Sequence, residues 1–508
     1  KVKMPGTMIV RTTDFTPYAN APESPFQCAL YRLRNFADGK LGKVIACSRL
    51  FACIEELISH DDSHSMSSDG SHANDIERKS GAGRMKVLVV GGGGREHALC
   101  WTISGSPLVE KLWCAPGNAG IAQDAHCVDI SSEDVDALVR FSVENEVELV
   151  VIGPEAPLVL GLSDRLQEKG IRAFGPSADA AILEGSKGYM KDLCTRYNIP
   201  TASYGRFTEP APAKAFIEDR GAPIVVKADG LAAGKGVIIC ETVDQAHQAV
   251  DEMLIGGAFG EAGAEIVVEE FMEGVEASFF ALVDGENALP LASAQDHKRV
   301  YENDKGPNTG GMGAYSPAPV INKLVEKKII TKIVKPTLLA LKKKRNAYNG
   351  FLYVGLMIKN KEPYLIEYNI RMGDPECQVI LPRLKTDIVK IIKSSVNNDL
   401  KKIKIKWKRD KCMTIVLCSK GYPGKYKKNS IIKNFSKINL SKKDFIYHAG
   451  TQFKNGELFS NGGRVLNITS LGNNFLRIRK KIISIIKNIN WKDGFYRNDI
   501  GWRIIKNK

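Results

Sequence analysis

A run of four glycines between a strand-like segment and a helix-like segment constrains the fold of this chain most. Residues 86–90 are apolar and largely β-branched, Gly91–Gly94 can turn tightly, and residues 96–104 continue with helical spacing. This order predicts a βα unit. Strand and helix segments alternate in the same way as far as residue 174. Such alternation predicts a parallel sheet that is covered by helices on both faces.

Length and composition predict an ordinary soluble protein of about three domains. A chain of 508 residues exceeds one hydrophobic core, and 44% of its residues are apolar while 25% are charged. The longest apolar runs are strand-length, far below the ~20 residues that span a bilayer, so we expect no membrane segment. The eleven cysteines contain no CxxC pair, which argues against a zinc knuckle or a disulfide framework and favours a cytoplasmic location.

A net charge of +15 raises the alternative of a nucleic-acid-binding protein. From about Lys323 onward the composition shifts towards Lys, Ile and Asn. The lysines of residues 401–408 alternate with isoleucines rather than forming a block interleaved with aromatics, a pattern typical of a solvated strand or helix face. We therefore expect only weak, non-specific nucleic-acid binding. The compositional break near residue 320 is also compatible with a join between two related sequences.

The first 84 residues differ in character from those that follow. They lack sustained periodicity and include a run of Ser, His and Asp at residues 60–74, for which a polar linker is favoured over a metal site. No apolar segment follows a basic one, so a signal peptide is not expected. Because the chain opens at Lys1 and a regular pattern begins only at Met85, we interpret residues 1–84 as a disordered or non-native extension.

The glycine loop is a candidate anion site. Its place after a strand and before a helix lets the backbone approach a ligand and directs amide N–H groups at it, so a phosphate is the natural guest. A dinucleotide fingerprint fits poorly, because Glu96 occupies the position of the third glycine. A nicotinamide-dependent oxidoreductase is therefore disfavoured, and a simple tight turn is the structural alternative.

A second loop has the features of a mobile flap over a triphosphate. Lys227 ends a strand-like segment, and a loop of small residues carrying Lys235 follows it. Two lysines can neutralise the oxygens of a transferring phosphoryl group, and closure excludes water. A glycine-rich hairpin is the alternative. Residues 267–272 then pass from a buried strand into a linker, where main-chain groups could bind an adenine edge and Glu276 a ribose hydroxyl.

The segment at 367–376 (EYNIRMGDPE) carries the most specific chemistry. In an extended chain Glu367 and Asn369 point to the same side, and a carboxylate with an amide oxygen suits magnesium, which prefers oxygen ligands. Arg371 lies on that side as well, where it could stabilise a moving phosphoryl group. A structural salt-bridge cluster is the alternative.

With these motifs in this order, the chain resembles the ATP-grasp superfamily and, within it, the phosphoribosylamine–glycine ligase (glycinamide ribonucleotide synthetase) family. The resemblance runs from Met85 to about Ile504. It rests on GGGGREHAL (91–99), PGNAG (116–120), IGPEAPL (152–158), LEGSK (183–187), VKADGLAAGKGV (226–237), DHKR (296–299), NTGGMGAYSP (308–317), EYNIRMGDPE (367–376), HAGT (448–451), GGRVL (462–466) and YRNDIG (496–501). Other ATP-grasp ligases, such as carboxylase-type or acyl-CoA enzymes, are the nearest rivals, and the DHKR, NTGGMGAYSP and RMGDPE segments argue against them.

The resemblance implies an ATP- and magnesium-dependent ligase of the second step of purine synthesis, with manganese as an alternative metal. ATP would phosphorylate glycine, and the amine of 5-phosphoribosylamine would displace phosphate from the glycyl phosphate to give glycinamide ribonucleotide. The residues implied for ATP are Lys187, Lys227, Asp229, Gly230, Gly234, Lys235, Gly236, Glu269, Glu270, Phe271 and Glu276. Those implied for phosphoribosylamine and substrate binding are Gly92, Gly93, Gly94, Arg95, Glu96, His97, Asn118 and Asp296. Those implied for the phosphoryl-transfer centre are Lys298, Arg371 and Asp374, and those for the metal are Glu367 and Asn369.

The same resemblance implies a multidomain α/β and α+β architecture. It places an N-terminal parallel-sheet, Rossmann-like domain at 85–186, a central ATP-grasp domain at 187–405 with a mobile lid at about 207–275, and a small β-rich domain at 406–508. It also implies a monomer whose partners are the small molecules glycine, phosphoribosylamine and ATP. Met372 replaces the aromatic residue usual in the family, an exchange that we expect the core to tolerate.

Overall fold

The computed structural model describes residues 2–4, 8–10, 83–231, 236–344 and 348–505, and the chain divides into two units, residues 1–79 and 80–508. In the first unit, β1 (Val2–Met4) and β2 (Met8–Val10) pair antiparallel. The Ser/His/Asp run at 60–74 lies outside the described residues. Within the described ranges, no helix combines the length and apolar character that a membrane crossing requires.

The second unit begins with the five-stranded parallel sheet that the alternating pattern predicts, in the order β5-β4-β3-β6-β7. Its elements are β3 (Met85–Gly91), α1 (Gly94–Ser104), β4 (Val109–Pro116), β5 (His126–Cys127), α2 (Val135–Glu144), β6 (Leu149–Ile152), α3 (Glu155–Val159), α4 (Leu162–Glu168), β7 (Arg172–Phe174) and α5 (Ala178–Gly185). Leu88 and Val90 of β3 pack into one hydrophobic cluster, and Val87 and Val89 pack into another. Because alternate residues face opposite sides of a strand, both faces of β3 are covered, and the glycine loop emerges at the centre of the sheet.

A smaller antiparallel sheet, in the order β10-β9-β11-β8, makes up much of the predicted lid region, which is called the lid below. The elements of this region are α6 (Lys187–Arg196), β8 (Tyr204–Phe207), α7 (Pro210–Arg220), β9 (Ile224–Ala228), β10 (Val237–Cys240), α8 (Val243–Leu254) and β11 (Ile266–Glu270). Ile217 of α7 and Val250 of α8 pack on Val226 and Val268 of the sheet in a hydrophobic cluster separate from the others. The lid therefore has its own core, which suits an element that moves as a body.

The remaining residues build a nine-stranded antiparallel sheet, in the order β18-β17-β12-β13-β16-β19-β24-β21 with β25 beside β19. Its strands are β12 (Val275–Asp284), β13 (Ala288–Asp296), β16 (Gly313–Ser316), β17 (Asn349–Lys359), β18 (Glu362–Asn369), β19 (Lys411–Ser419), β21 (Asp444–His448), β24 (Arg464–Gly472) and β25 (Gly494–Phe495). Outside it lie the strands β14 (Arg299–Tyr301), β15 (Lys305–Asn308), β20 (Ile431–Ile432), β22 (Thr451–Lys454) and β23 (Glu457–Ser460). The helices are α9 (Lys323–Ile329), α10 (Lys335–Lys343), α11 (Cys377–Ile380), α12 (Ile388–Val396), α13 (Phe475–Lys487) and α14 (Trp502–Ile505).

The large sheet crosses the compositional break near residue 320. Strands β12 and β17 lie on opposite sides of that break and pair from Val275 with Ile358 to Asp284 with Asn349. Strand β16 then pairs with β19, which joins the central and β-rich C-terminal parts in one continuous sheet. The mixed α/β and α+β fold class is thus confirmed, and the sequence on both sides of the break contributes to a shared core.

Candidate active site

A cavity of about 530 Å³ is lined by residues of the lid, the large sheet and the N-terminal parallel-sheet region. This volume lies within the range of small-molecule sites. Apolar side chains such as Val225, Val237 and Ile239 come from the lid, whereas charged side chains come mainly from the other two parts. A smaller cavity of about 210 Å³ lies beside α4 and β7. Arg172 is the one charged residue among those that line it, so it has far fewer groups that could bind or activate a charged substrate.

Lys191, Glu269 and Lys227 form a buried ion triad at the lid side of the cavity. Glu269 Oε1 lies 2.9 Å from Lys227 Nζ, and its Oε2 lies 3.2 Å from Lys191 Nζ. Burial raises the pKa of Glu269, but the two lysines outweigh that effect and hold this pKa below its ordinary value. Lys191 is fully buried and also donates to Thr201 Oγ1 at 2.8 Å. Sequence reasoning missed Lys191, although it follows Lys187 by four residues and so shares its helix face.

Lys187 is the first residue of α6, and its Nζ contacts the carbonyl oxygens of Gly230 at 3.0 Å and Asp229 at 3.3 Å. Burial lowers the pKa of Lys187. The Asp229 carboxylate accepts hydrogen bonds from the amide of Gly188 and the hydroxyl of Ser186, so its side chain holds the start of α6. Its predicted contact with ATP stays a prediction.

The rest of the predicted flap and adenine-binding segment is placed as follows. Gly236 lines the cavity, whereas Gly234 and Lys235 lie outside the described residues. Phe271 also lines the cavity and is 38% exposed. Glu270 borders the cavity too, but its carboxylate accepts a hydrogen bond from Ser203 Oγ at 2.6 Å. The cavity thus presents an aromatic face beside main-chain groups at the end of β11.

Lys298 lies among carboxylates on the floor that the large sheet provides. Its Nζ is 3.1 Å from Glu276 Oε2 and 4.0 Å from Glu367 Oε1. Burial opposes the charge on this lysine, but Glu276, Asp296 and Glu367 raise the pKa of Lys298 well above its ordinary value. Burial raises the pKa of Asp296 to about 7. Glu276, predicted for a ribose hydroxyl, is therefore paired with Lys298.

Glu367 and Asn369 end β18 on the cavity wall, with side-chain oxygens of the kind that hard divalent cations take. No group of three or more His, Cys, Asp or Glu side chains within the described ranges is arranged to enclose a metal ion. The donor set therefore fits an open site in which the phosphates of a nucleotide complete the coordination, as magnesium sites commonly require.

Arg371 is held between two carboxylates that the sequence analysis did not assign. Its Nη2 donates to Glu184 Oε1 at 2.6 Å, and its Nε donates to Glu155 Oε2 at 3.2 Å. Arg371 lowers the pKa of Glu155, whereas burial raises the pKa of Glu184 to about 7. The IGPEAPL and LEGSK motifs, which had no assigned chemistry beyond Lys187, supply these two carboxylates.

Two amides at the glycine loop, those of Gly93 and Arg95, are bonded to carboxylates of the protein. Gly93 N donates to Glu96 Oε2 at 2.7 Å, and Arg95 N donates to Asp374 Oδ2 at 3.4 Å. The Arg95 guanidinium donates to Glu96 Oε1 at 2.5 Å and to the carbonyl oxygen of Met372 at 3.2 Å. Two negative groups therefore stand at the N-terminus of α1, where the sequence suggests a phosphate. Arg95, which follows the glycine loop, and Asp374 both line the cavity, and they are held there by contacts within the protein.

His97 and Asn118 connect the glycine loop to the C-terminal part of the large sheet. His97 Nδ1 accepts the amide of His448 at 2.7 Å. Asn118 Nδ2 donates to the carbonyl oxygens of Gly92 and His448, each at 2.9 Å, while its Oδ1 accepts amides at 2.9 and 3.0 Å. These side chains are engaged by backbone groups, so the structure gives them a positioning task, and their predicted contact with substrate is untested.

The structure also brings three arginines to the cavity that the prediction left without a role, namely Arg299, Arg464 and Arg503. Each belongs to a motif noted in the sequence (DHKR and GGRVL) or lies just beyond one (YRNDIG). The motifs therefore marked these regions as functional. Their sequences did not show that the three arginines line the same cavity as Lys298 and Glu367.

Comparison with known proteins accounts for the second unit as a whole. Residues 85–184 match the N domain of phosphoribosylglycinamide synthetase, residues 185–377 match its ATP-grasp (A) domain, and residues 412–503 match its C domain. A phosphoribosylamine–glycine ligase of Brucella melitensis is 51% identical over 422 residues, which cover 83% of this chain and 99% of that protein.

Solved structures agree with these matches. The crystal structure of the phosphoribosylamine–glycine ligase of Thermotoga maritima superposes with a TM-score of 0.72 at 32% identity and covers 82% of this chain and 99% of its own. A biotin carboxylase of Campylobacter jejuni superposes with a TM-score of 0.64 at 14% identity and covers 82% of this chain and 94% of its own. The second likeness concerns the fold alone.

Proposed function

Because the chain belongs to the phosphoribosylglycinamide synthetase family, we propose that the cavity beneath its lid joins glycine to 5-phosphoribosylamine with the cleavage of ATP. The chain is an ATP-grasp ligase of purine biosynthesis. One observation carries the assignment to this cavity: it is the place where the lid lysine Lys227, the carboxylate–amide pair of β18 and Arg371 meet. Products of the reaction are glycinamide ribonucleotide, ADP and phosphate.

ATP lies, in this proposal, between the lid and the large sheet. Val225, Val237 and Ile239 provide an apolar surface for the adenine, and main-chain groups near Phe271 provide hydrogen bonds to its edge. Lys227 and Lys187 neutralise phosphate oxygens, since each has an ammonium group beside the cavity. Lid closure excludes water, which protects a reactive acyl phosphate from hydrolysis.

Glu367 and Asn369 hold the divalent metal ion, for which we propose magnesium, with manganese as an alternative. When bound, such an ion neutralises charge on the phosphate oxygens. The two side chains contribute oxygen donors from one face of β18, while Lys298 beside Glu367 limits the negative charge of the site before the nucleotide arrives.

Arg371 and Lys298 stabilise the charge that moves during the two chemical steps. In the first, a carboxylate oxygen of glycine attacks the terminal phosphorus of ATP and ADP leaves. In the second, the amine of phosphoribosylamine attacks the glycyl carbon, and the carbon–oxygen bond to phosphate breaks. No nucleophile of the protein is required, because the residues act by positioning and electrostatics.

We also propose domain boundaries at 85–186, 187–405 and 406–508, a lid at about 207–275, a monomeric state and a cytoplasmic location. The family matches support three domains in this order. The large sheet adds that the second and third are joined through β16 and β19.

The test is the release of ADP and phosphate from ATP by the purified chain with magnesium, glycine and freshly generated phosphoribosylamine, each omitted in turn. We expect release only in the complete mixture, with glycinamide ribonucleotide detected by mass. Glu367→Gln should abolish this activity. The circular dichroism spectrum of the variant without ATP should match that of the wild type, which shows that the fold is retained. Release that needs neither glycine nor phosphoribosylamine would refute the assignment.

A further inference from the structure

The glycine loop is a poor place for the 5-phosphate of phosphoribosylamine. The Glu96 carboxylate bonds the Gly93 amide, and the Asp374 carboxylate faces the Arg95 amide. Arg95 pairs with Glu96 and Arg464 pairs with Asp374, but a phosphate at the start of α1 would still have to displace both carboxylates from these amides. The 5-phosphate therefore needs cations elsewhere on the cavity wall.

Several cations on that wall are already neutralised by carboxylates, and Lys187, which contacts carbonyl oxygens, is assigned to the phosphates of ATP in the proposal above. Lys227 pairs with Glu269, Lys298 with Glu276, Arg371 with Glu155 and Glu184, and Arg503 with Asp304 at 2.5 Å. Each of these groups would have to leave a partner, or share it, before binding another anion.

Arg299 differs from them, and Arg464 pairs with Asp374 but keeps two donor nitrogens without a partner among the described residues. Arg299 Nη1 donates to the carbonyl oxygen of Gly306 at 2.7 Å, and no carboxylate of the described residues lies within ion-pair distance of its guanidinium. Arg464 donates through Nη1 to the carbonyl oxygens of Gly310 and Asp374, each at 2.7 Å, and Asp374 Oδ1 lies 3.4 Å away. Its Nε and Nη2 have no hydrogen-bond acceptor among the residues that the structure describes.

The two arginines flank one short segment of chain. Arg299 pairs with Asn308 across β14 and β15, and Gly310, two residues further on, is in contact with the Arg464 guanidinium. Asn308, Thr309 and Gly310 all line the cavity between them. A guanidinium presents its N–H donors in a fixed fork that matches the oxygens of a phosphate.

We propose that Arg299 and Arg464 form the subsite for the 5-phosphate of phosphoribosylamine, on the wall built by residues 308–310. This assignment rests on the proposed function. It moves the phosphate away from the glycine loop, and it gives the DHKR and GGRVL motifs a direct part in substrate recognition.

The first test uses Arg299→Gln, which removes the charge but keeps a polar side chain. A hydrogen bond to a charged group contributes enough that we expect the KM for phosphoribosylamine to rise about 10- to 100-fold, with the KM values for ATP and glycine changed by less than about threefold. Ribose 5-phosphate and ribose serve as binding probes in calorimetry. The wild-type preference for the phosphorylated sugar should shrink by a similar factor in the variant.

Arg503→Gln is the matched control, because Arg503 borders the same cavity but is committed to Asp304, and it should keep the preference for ribose 5-phosphate. Arg464→Lys retains the positive charge but loses the fork of N–H donors, so it should also raise the KM for phosphoribosylamine. An active wild type whose Arg299→Gln variant keeps both its KM and its preference for ribose 5-phosphate would overturn the subsite and leave the function standing. A folded wild type without ligase activity would instead overturn the function.

Discussion

Replacing Lys227 by Met separates the chemical contribution of this lysine from its part in the buried ion triad. Methionine has nearly the same length, so the packing around β9 is retained while the charge is lost. Removal of one group that stabilises transition-state charge costs about 2.7–4 kcal/mol, so turnover should fall about 10²- to 10³-fold.

The expected effect of Lys227→Met on stability is smaller and follows from the geometry of the triad. Removing one partner of a buried ion pair costs about 3–5 kcal/mol when the other charge is left uncompensated. Here Lys191 Nζ stays 3.2 Å from Glu269 Oε2 and continues to neutralise it. We therefore expect the free energy of unfolding to fall by less than about 3 kcal/mol, so that the protein remains folded at 25 °C.

Lys191→Met is the matched control, since it removes the other lysine of the triad. It leaves the carbonyl oxygen of Ala202, now 3.2 Å from Lys191 Nζ, without that donor, so its stability loss should equal or exceed that of Lys227→Met. Its turnover should fall less than about tenfold, because Lys227 keeps its place at the phosphates. ADP release at saturating substrates gives turnover, and denaturant unfolding gives stability.

Two outcomes would refute this reasoning. If folded Lys227→Met retained turnover within about threefold of the wild type, Lys227 would have no direct part in phosphoryl transfer. If Lys191→Met were as inactive as Lys227→Met at equal stability, the triad would act by shaping the strands of the lid, and the charge on Lys227 would not be the cause.

Two further predictions concern the contacts around the cavity. Asn118→Ala removes four hydrogen bonds at the glycine loop, so the free energy of unfolding should fall by about 2–4 kcal/mol in denaturant titrations, and a loss below about 1 kcal/mol would contradict the positioning role. Burial raises the pKa of Glu184 to about 7 from 4.5, so the folded state binds its proton more tightly than the unfolded state. Its contribution to stability is therefore lost as pH rises from about 4.5 to 7, and unfolding of Glu184→Gln should depend less steeply on pH across that window; an unchanged slope would contradict the assignment.

Local patterns were sufficient for the elements that surround the cavity. The apolar and largely β-branched run of residues 86–90 predicts a strand, and the structure covers β3 on both faces. The two-residue spacing of Glu367 and Asn369 predicts a common side, and both line the cavity. These features depend only on neighbours in the chain, so periodicity and motif order were enough to predict them and the family.

What surrounds the motifs was decided by the tertiary structure alone. The Asp374 carboxylate that faces the glycine loop lies 279 residues from Arg95, and the His448 amide bound by His97 lies 351 residues away. Residue type shows that a loop can bind an anion, but only the folded chain shows that carboxylates of the protein already stand there. The same holds for Arg299 and Arg464: folding brings no carboxylate of the described residues within ion-pair distance of Arg299, whereas Asp374, 90 residues away in the chain, pairs with Arg464. Charge compensation depends on distance in space, and sequence separation does not record it.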